Sequence, residues 1–247
     1  MKNSVIPLVA ILFSLHAGWA GEQILWKLDL ESYKPGDELL EAAYDTGGNV
    51  APQKVWNDGN DKITVIDDPD GGKRVLLFSK QTATSYRPAV DFDAGNDNLF
   101  TSGKLIFEWE ALVEDFQLVD GSKANTLISQ GFIGDNNQER FRISFVGATN
   151  PGGNFINFDG FAAPGTLEIP HIKWDKGEKL RFRVELDLDK KEATVSVNGE
   201  EVFKHVNEEK FAAVRCFRIR DGAAIGGSYG ETITARFSNI TIAYVTP

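Results

Sequence analysis

The feature that most constrains this chain is a stretch of strict alternation from Lys179 to His205, KLRFRVELDLDKKEATVSVNGEEVFKH. Leu180, Phe182, Val184, Leu186 and Leu188 alternate with Arg181, Arg183, Glu185 and Asp187. A period of two marks a strand with one face buried and the other wet. The polar run Asp189-Lys190-Lys191 reverses the chain, and Ala193, Val195 and Val197 then alternate with Thr194 and Ser196. Asn198-Gly199 readily adopts the two positive-φ positions of a tight hairpin, so residues 200–205 return as a third strand. The result is an antiparallel meander with one apolar face.

The same signs recur along the chain. Gln23 to Tyr33 opens as a strand. Lys62 to Ile66 and Arg74 to Ser79 form a hairpin around Asp67-Asp68-Pro69-Asp70-Gly71-Gly72, a strong turn signal. Ser85 to Phe92 is a strand that Pro88 places at an edge or bulge. Further strands are expected at 104–113, 125–133, 139–146, 213–220 and 231–244. Residues 38–61 and 147–171 read as long connections, the second with a short strand at 154–158, and 207–213 as one helical turn. About a dozen short strands with almost no helix mean an all-β fold, a two-sheet antiparallel β-sandwich or jelly roll. No internal repeat or Pro/Ser linker divides it, so a single domain over 21–247 is expected.

Residues 1–20 read as a secretory signal peptide. Lys2 is a positive start, Val5 to Leu15 an apolar core, and Gly18-Trp19-Ala20 a small-residue cleavage site before Gly21. The apolar run is too short for a membrane anchor, so the expected product is secreted, periplasmic or extracellular, without membrane insertion, and a monomer. The net charge of −10 at pH 7 argues against nucleic acid as a partner. Cys216 is the single cysteine, which excludes an internal disulfide and cysteine metal clusters.

The opening LDLESYKPGD, the hairpin VIDDPDGGKRVLLFS, the meander LRFRVELDLDKKEATVSVNGEEVF and the ending RFSNITI together resemble the laminin-G-like, concanavalin A-like jelly-roll domains of exported bacterial proteins. The resemblance implies two stacked sheets, paired first and last strands, and one sheet curved into a concave groove. Members of that family include carbohydrate-binding modules, glycoside hydrolases and polysaccharide lyases. A fold of this kind does not settle function.

Glycosidases need two carboxyl groups, about 5 Å apart in retaining enzymes and about 6.5–9.5 Å in inverting ones. Glu108 and Glu110, two apart on one strand face, would lie roughly 6–7 Å apart and are the candidate catalytic pair. They depart from the Glu-x-Asp-x-x-Glu motif of the jelly-roll glucanases at Trp109-Glu110-Ala111. Partnership with cross-strand arginines is the competing account. A lyase needs a His or Tyr base, and outside the leader only His171 and His205 are histidines. Both read more simply as surface residues.

Six of the ten arginines lie at alternate strand positions: Arg140 and Arg142, Arg181 and Arg183, Arg218 and Arg220. Each pair stands opposite its apolar neighbours, so all six are expected to converge on one concave surface as planar forks for an anionic glycan. A ladder of cross-strand ion pairs is the alternative. Asn157 and Phe158, in a loop rich in Asn and Phe, suit the rim of a sugar site. No cofactor is expected. Structural calcium has three candidate turns, Asp67-Asp68-Asp70, Asp91-Asp93-Asp97 and Asp135-Asn136-Asn137, each also an ordinary polar turn. The reading that follows is a secreted carbohydrate-binding protein for extracellular or cell-wall polysaccharide. The alternatives are a glycoside hydrolase or polysaccharide lyase in the same groove, and a structural or adhesion domain.

Overall fold

A computed structural model describes residues 22–27, 30–31, 33–39, 52–57, 59–71, 73–81, 88–93, 99–118, 124–134, 139–148, 153–159, 172–208, 211–221 and 232–246. The leader, His171 and the glycine-rich stretch 222–230 lie outside them. The described elements are strands: β1 (Glu22–Lys27), β2 (Pro52–Trp56), β3 (Lys62–Asp67), β4 (Arg74–Lys80), β5 (Ala89–Asp93), β6 (Lys104–Gln117), β7 (Ala124–Ile133), β8 (Glu139–Ala148), β9 (Phe155–Asp159), β10 (Ile172–Lys173), β11 (Leu180–Asp187), β12 (Glu192–Val197), β13 (Glu200–Val206), β14 (Cys216–Asp221) and β15 (Thr232–Val245).

They form two antiparallel sheets. The eight-stranded sheet runs β13-β12-β11-β6-β15-β4-β3, with β1 paired to β15; the seven-stranded sheet runs β10-β9-β8-β7-β14-β5-β2. The fold class is therefore the expected all-β sandwich, and its first and last strands pair. The meander forms as the alternation dictates. Leu180, Phe182, Val184, Leu186 and Leu188 are buried at 0–1% exposure, while Asn198 and Gly199 take φ of 53° and 87° at the reversal. The expected helical turn is one i→i+4 bond, from Phe211 N–H to the Asn207 carbonyl, 3.1 Å.

Two expectations need correction. The connection 38–61 contains β2, which the sequence hides because Pro52 breaks the strand signal and the adjacent apolar residues Val55 and Trp56 do not alternate. Pro88 does not put its strand at an edge. It precedes β5, whose N–H groups are then all available, and β5 lies between β14 and β2.

The core is an aromatic layer between the sheets. Trp109 of β6 stacks on Phe182 of β11 (5.1 Å, 13°) and meets Phe217 of β14 at 4.9 Å. Phe107 meets Phe132 at 4.4 Å edge-on, and Phe145 meets Phe182 at 5.9 Å. Such pairs add roughly 0.5–1.5 kcal/mol each beyond the area they bury. The two long strands β6 and β15 run side by side, and a bulge between Ser238 and Thr241, with Asn239 at φ 53°, keeps the inward set in phase.

Candidate functional site

With their inward faces used up in the core, the sheets offer two outward faces. On the eight-stranded sheet, β11 lies beside β6 in a register that sets Arg181 against Glu110 and Arg183 against Glu108. The side chains follow it. Arg181 donates to Glu110 at 3.0 Å, Arg183 donates to Glu108 and, at 2.9 Å, to Glu185, and Lys104 reaches Glu185 at 3.2 Å. Glu110 also accepts from Ser238 (3.2 Å) and Asn239 (2.9 Å).

The charges here stabilise one another. Burial opposes ionisation of Glu185, but the hydrogen bonds and charges of Arg183 and Lys104 outweigh it and hold the carboxyl below its ordinary range. Burial likewise opposes the charge on Arg183, and its bonds to Glu108 and Glu185 raise its pKa nonetheless. The candidate catalytic pair Glu108 and Glu110 thus sits within an ion-pair ladder, with both oxygens of Glu110 and one of Glu108 already engaged. A small pocket beside it, lined by Asp68, Glu110, Lys179, Arg236 and Ser238, has a cavity volume of about 10 Å³, room for about one water molecule.

The seven-stranded sheet is organised differently. Its registers align two rows of outward positions across β9, β8, β7, β14, β5 and β2. One row runs Arg142, Gly131, Arg218, Asp91; the next runs Asn157, Ser144, Ser129, Arg220, Ala89, Trp56. Arg140 lies at the end of β8 against Gly134, where a Cβ would come within 2.2 Å of its Nε and 2.8 Å of the Ala213 carbonyl. The arginines alternate with Phe141, Ile143, Phe217 and Ile219, all buried at 0–1% on the core side.

At the centre of this face Arg218 grips Asp91 with two parallel bonds, Nε to Oδ1 at 2.5 Å and Nη2 to Oδ2 at 2.7 Å. The Trp56 ring lies 5.5 Å from its guanidinium carbon. Ser129 and Ser144 share a hydrogen bond of 3.0 Å and, like Asp91, are buried although they point away from the apolar core.

The expectation that six arginines converge on one surface is overturned. Arg140, Arg142, Arg218 and Arg220 share the seven-stranded sheet, whereas Arg181 and Arg183 lie on the opposite layer. Alternation fixes the side of a strand on which a residue stands, not the sheet its strand joins. Phe158 is no rim residue. It is 1% exposed and stacks on Phe203 at 5.6 Å and 8° inside the core. Asn157 does stand on the arginine face, beside Ser144.

Asp91, Gly131, Ser129, Ser144 and Trp56 were not foreseen as parts of this face. Only the alternation of Val90-Asp91-Phe92 hinted at Asp91. His205 is partly buried on β13, and burial lowers its pKa. Among the candidate calcium turns, Asp68 and Asp70 both bind Arg236, at 2.6 and 3.1 Å. Asp97 and residues 135–137 lie outside the described residues. Among the described residues no three His, Cys, Asp or Glu side chains group as a metal site.

No family model matches the chain, and no curated protein matches its sequence. Solved structures do match its fold. The marine PL7 alginate lyase AlyA1 from Zobellia galactanivorans superposes with a TM-score of 0.59 at 15% identity, covering 91% of this chain and 95% of that one. A carbohydrate esterase from the Shiga toxin-encoding bacteriophage phi24B gives 0.55 at 13% identity, covering 92% and 100%. A sialidase gives 0.53 at 12% identity over 76% of this chain, which spans only 16% of that protein. At these identities the likeness is one of fold, the concanavalin A-like jelly roll.

Proposed function

We propose that this chain is an exported polysaccharide-binding jelly roll that holds an anionic glycan on the outward face of its seven-stranded sheet. One observation carries the reading: a chain of net charge −10 gathers Arg140, Arg142, Arg218 and Arg220 on one face of one sheet. Guanidinium groups gathered on one face of an acidic chain have a use when the ligand is negative. Guanidinium forks suit the planar carboxylate of a uronate, and Asn157 adds the amide chemistry of a sugar site. Export follows from the leader-like residues 1–20.

The experiment is affinity electrophoresis through gels containing a polyuronate, a sulfated glycan or a neutral glucan. The polyuronate is expected to retard the protein. Arg142→Gln and Arg220→Gln should each weaken binding by about 1 kcal/mol or more, the worth of a charge-assisted bond, and Arg181→Gln on the other sheet should not. Equal retardation by neutral and anionic gels at low salt would sink the reading.

A second reading, a polysaccharide lyase working on the same face, draws support from the superposition on an alginate lyase over most of both chains. Among the described outward residues of this sheet there is no histidine or tyrosine, so a base would have to come from elsewhere in the chain. Release of unsaturated uronate from a polyuronate by the purified protein would establish the lyase reading over the binding-only one.

A further inference from the structure

The small pocket on the eight-stranded sheet borders two charged groups that fall just short of a direct hydrogen bond. Asp68, in the β3–β4 turn, has one carboxylate oxygen fully engaged: Oδ1 accepts from Arg236 Nη1 at 2.6 Å and from the Asp70 N–H at 3.2 Å. Its other oxygen, Oδ2, faces the Lys179 ammonium at 3.6 Å, too long for a hydrogen bond. Among the described residues neither Oδ2 nor Lys179 Nζ has a closer polar partner. The Asp68 side chain is 11% exposed, so bulk solvent does little for that oxygen. A polar contact just beyond bonding distance, with a cavity alongside, points to a bridging water.

The cavity fits one. Its volume of about 10 Å³ is the room that a single water needs. Its charged lining is two acids, Asp68 and Glu110, and two bases, Lys179 and Arg236. A bare cation would meet the bases and an anion the acids, whereas a neutral molecule that both donates and accepts suits all four. We infer that this pocket is a site for one ordered water, which accepts from Lys179 Nζ and donates to Asp68 Oδ2. The Ser238 hydroxyl also lines the pocket; it donates to Glu110 at 3.2 Å and keeps a lone pair for the second hydrogen of the water. The water then ties together three pieces far apart in the chain: the β3–β4 turn, the entry to β11, and β15 beside its bulge. This site does not depend on the glycan reading.

Val75 lines the pocket from β4 and is itself 2% exposed. Val75→Ile adds one methyl group there, and the sign of its effect discriminates. Filling a dry void gains packing contacts and raises stability. Displacing a bridging water leaves Asp68 Oδ2 and Lys179 without their partner and lowers it. The tests are crystal structures of the native protein and of V75I, at a resolution that places waters, together with the thermal midpoints of both. The native crystal is expected to show a peak within hydrogen-bond distance of both Asp68 Oδ2 and Lys179 Nζ, and V75I is expected to lack it and to melt at a lower temperature. Featureless density at that position in the native crystal, or a peak that touches only one of the two groups, overturns the proposal. So does a peak that gives an anomalous signal after soaking in rubidium or bromide, since that marks an ion. A V75I protein that loses the peak yet melts higher removes the bridging role. The native crystal decides whether the site exists even if V75I does not fold.

Discussion

Gln130 is fully buried on the inward side of β7, in register with Ile143 and Ile219. Neither its carbonyl oxygen nor its amide nitrogen meets a hydrogen-bond partner among the described residues. A buried amide in that position costs about 1–3 kcal/mol, whereas an apolar side chain of like volume has nothing to satisfy. Gln130→Met is therefore expected to stabilise the protein by about 1 kcal/mol, read as a higher denaturant midpoint with an unchanged slope; a lower midpoint would mean that the amide has a partner after all. Phe158 teaches a related lesson at the same scale. An aromatic between Asn157 and Asp159 looks like a sugar platform, but two-residue alternation sends it inward beside Ile156, onto Phe203.

At the scale of elements, the β6–β11 pairing decides what the outward glutamates do. Their strands are adjacent and in a register that sets each acid against a base, so the ladder follows from pairing and register together with alternation. Exposed pairs of this kind contribute little each. The Arg183–Glu185–Lys104 group is the more sheltered, with side chains about a third exposed. The folded carboxyl of Glu185 lies below its ordinary value. Its contribution is therefore complete above the ordinary carboxylate range and lost as pH falls through the lowered folded value. Glu185→Gln should cost less than about 1 kcal/mol near neutral pH, and its stability curve should merge with the native one in acid. A gap between the two proteins that persists unchanged into acid would contradict the assignment.

For the whole molecule, the partition of charge between the two layers is the main result. One outward face carries the Arg181–Glu110 and Arg183–Glu108 ladder; the other carries four arginines, among them Arg218 paired with Asp91, in a chain that is acidic overall. Exposed charges more than about 10 Å apart are screened at 0.1 M salt. Binding of a polyuronate should therefore weaken steadily from low to physiological salt, while the thermal midpoint of the free protein stays nearly constant because the aromatic core carries the stability. Salt-independent binding would argue that the ligand is held by stacking and neutral hydrogen bonds instead.

The sequence by itself determined the period of two, the turns at 67–72 and 198–199, and hence an antiparallel sandwich with inward and outward residues legible on its clearly alternating strands. These are local properties: pleating decides the side, and Asn-Gly decides the reversal. It also singled out the arginines and the Glu108/Glu110 pair as chemically notable. What only the tertiary structure decided is which strands are neighbours. Arg183 and Glu108 are 75 residues apart in the chain and Arg218 and Asp91 are 127 apart, so no local pattern links them. A strand reads alike whichever sheet it joins, and for that reason six arginines with one alternation pattern part into two layers, four to form a face and two to neutralise a ladder.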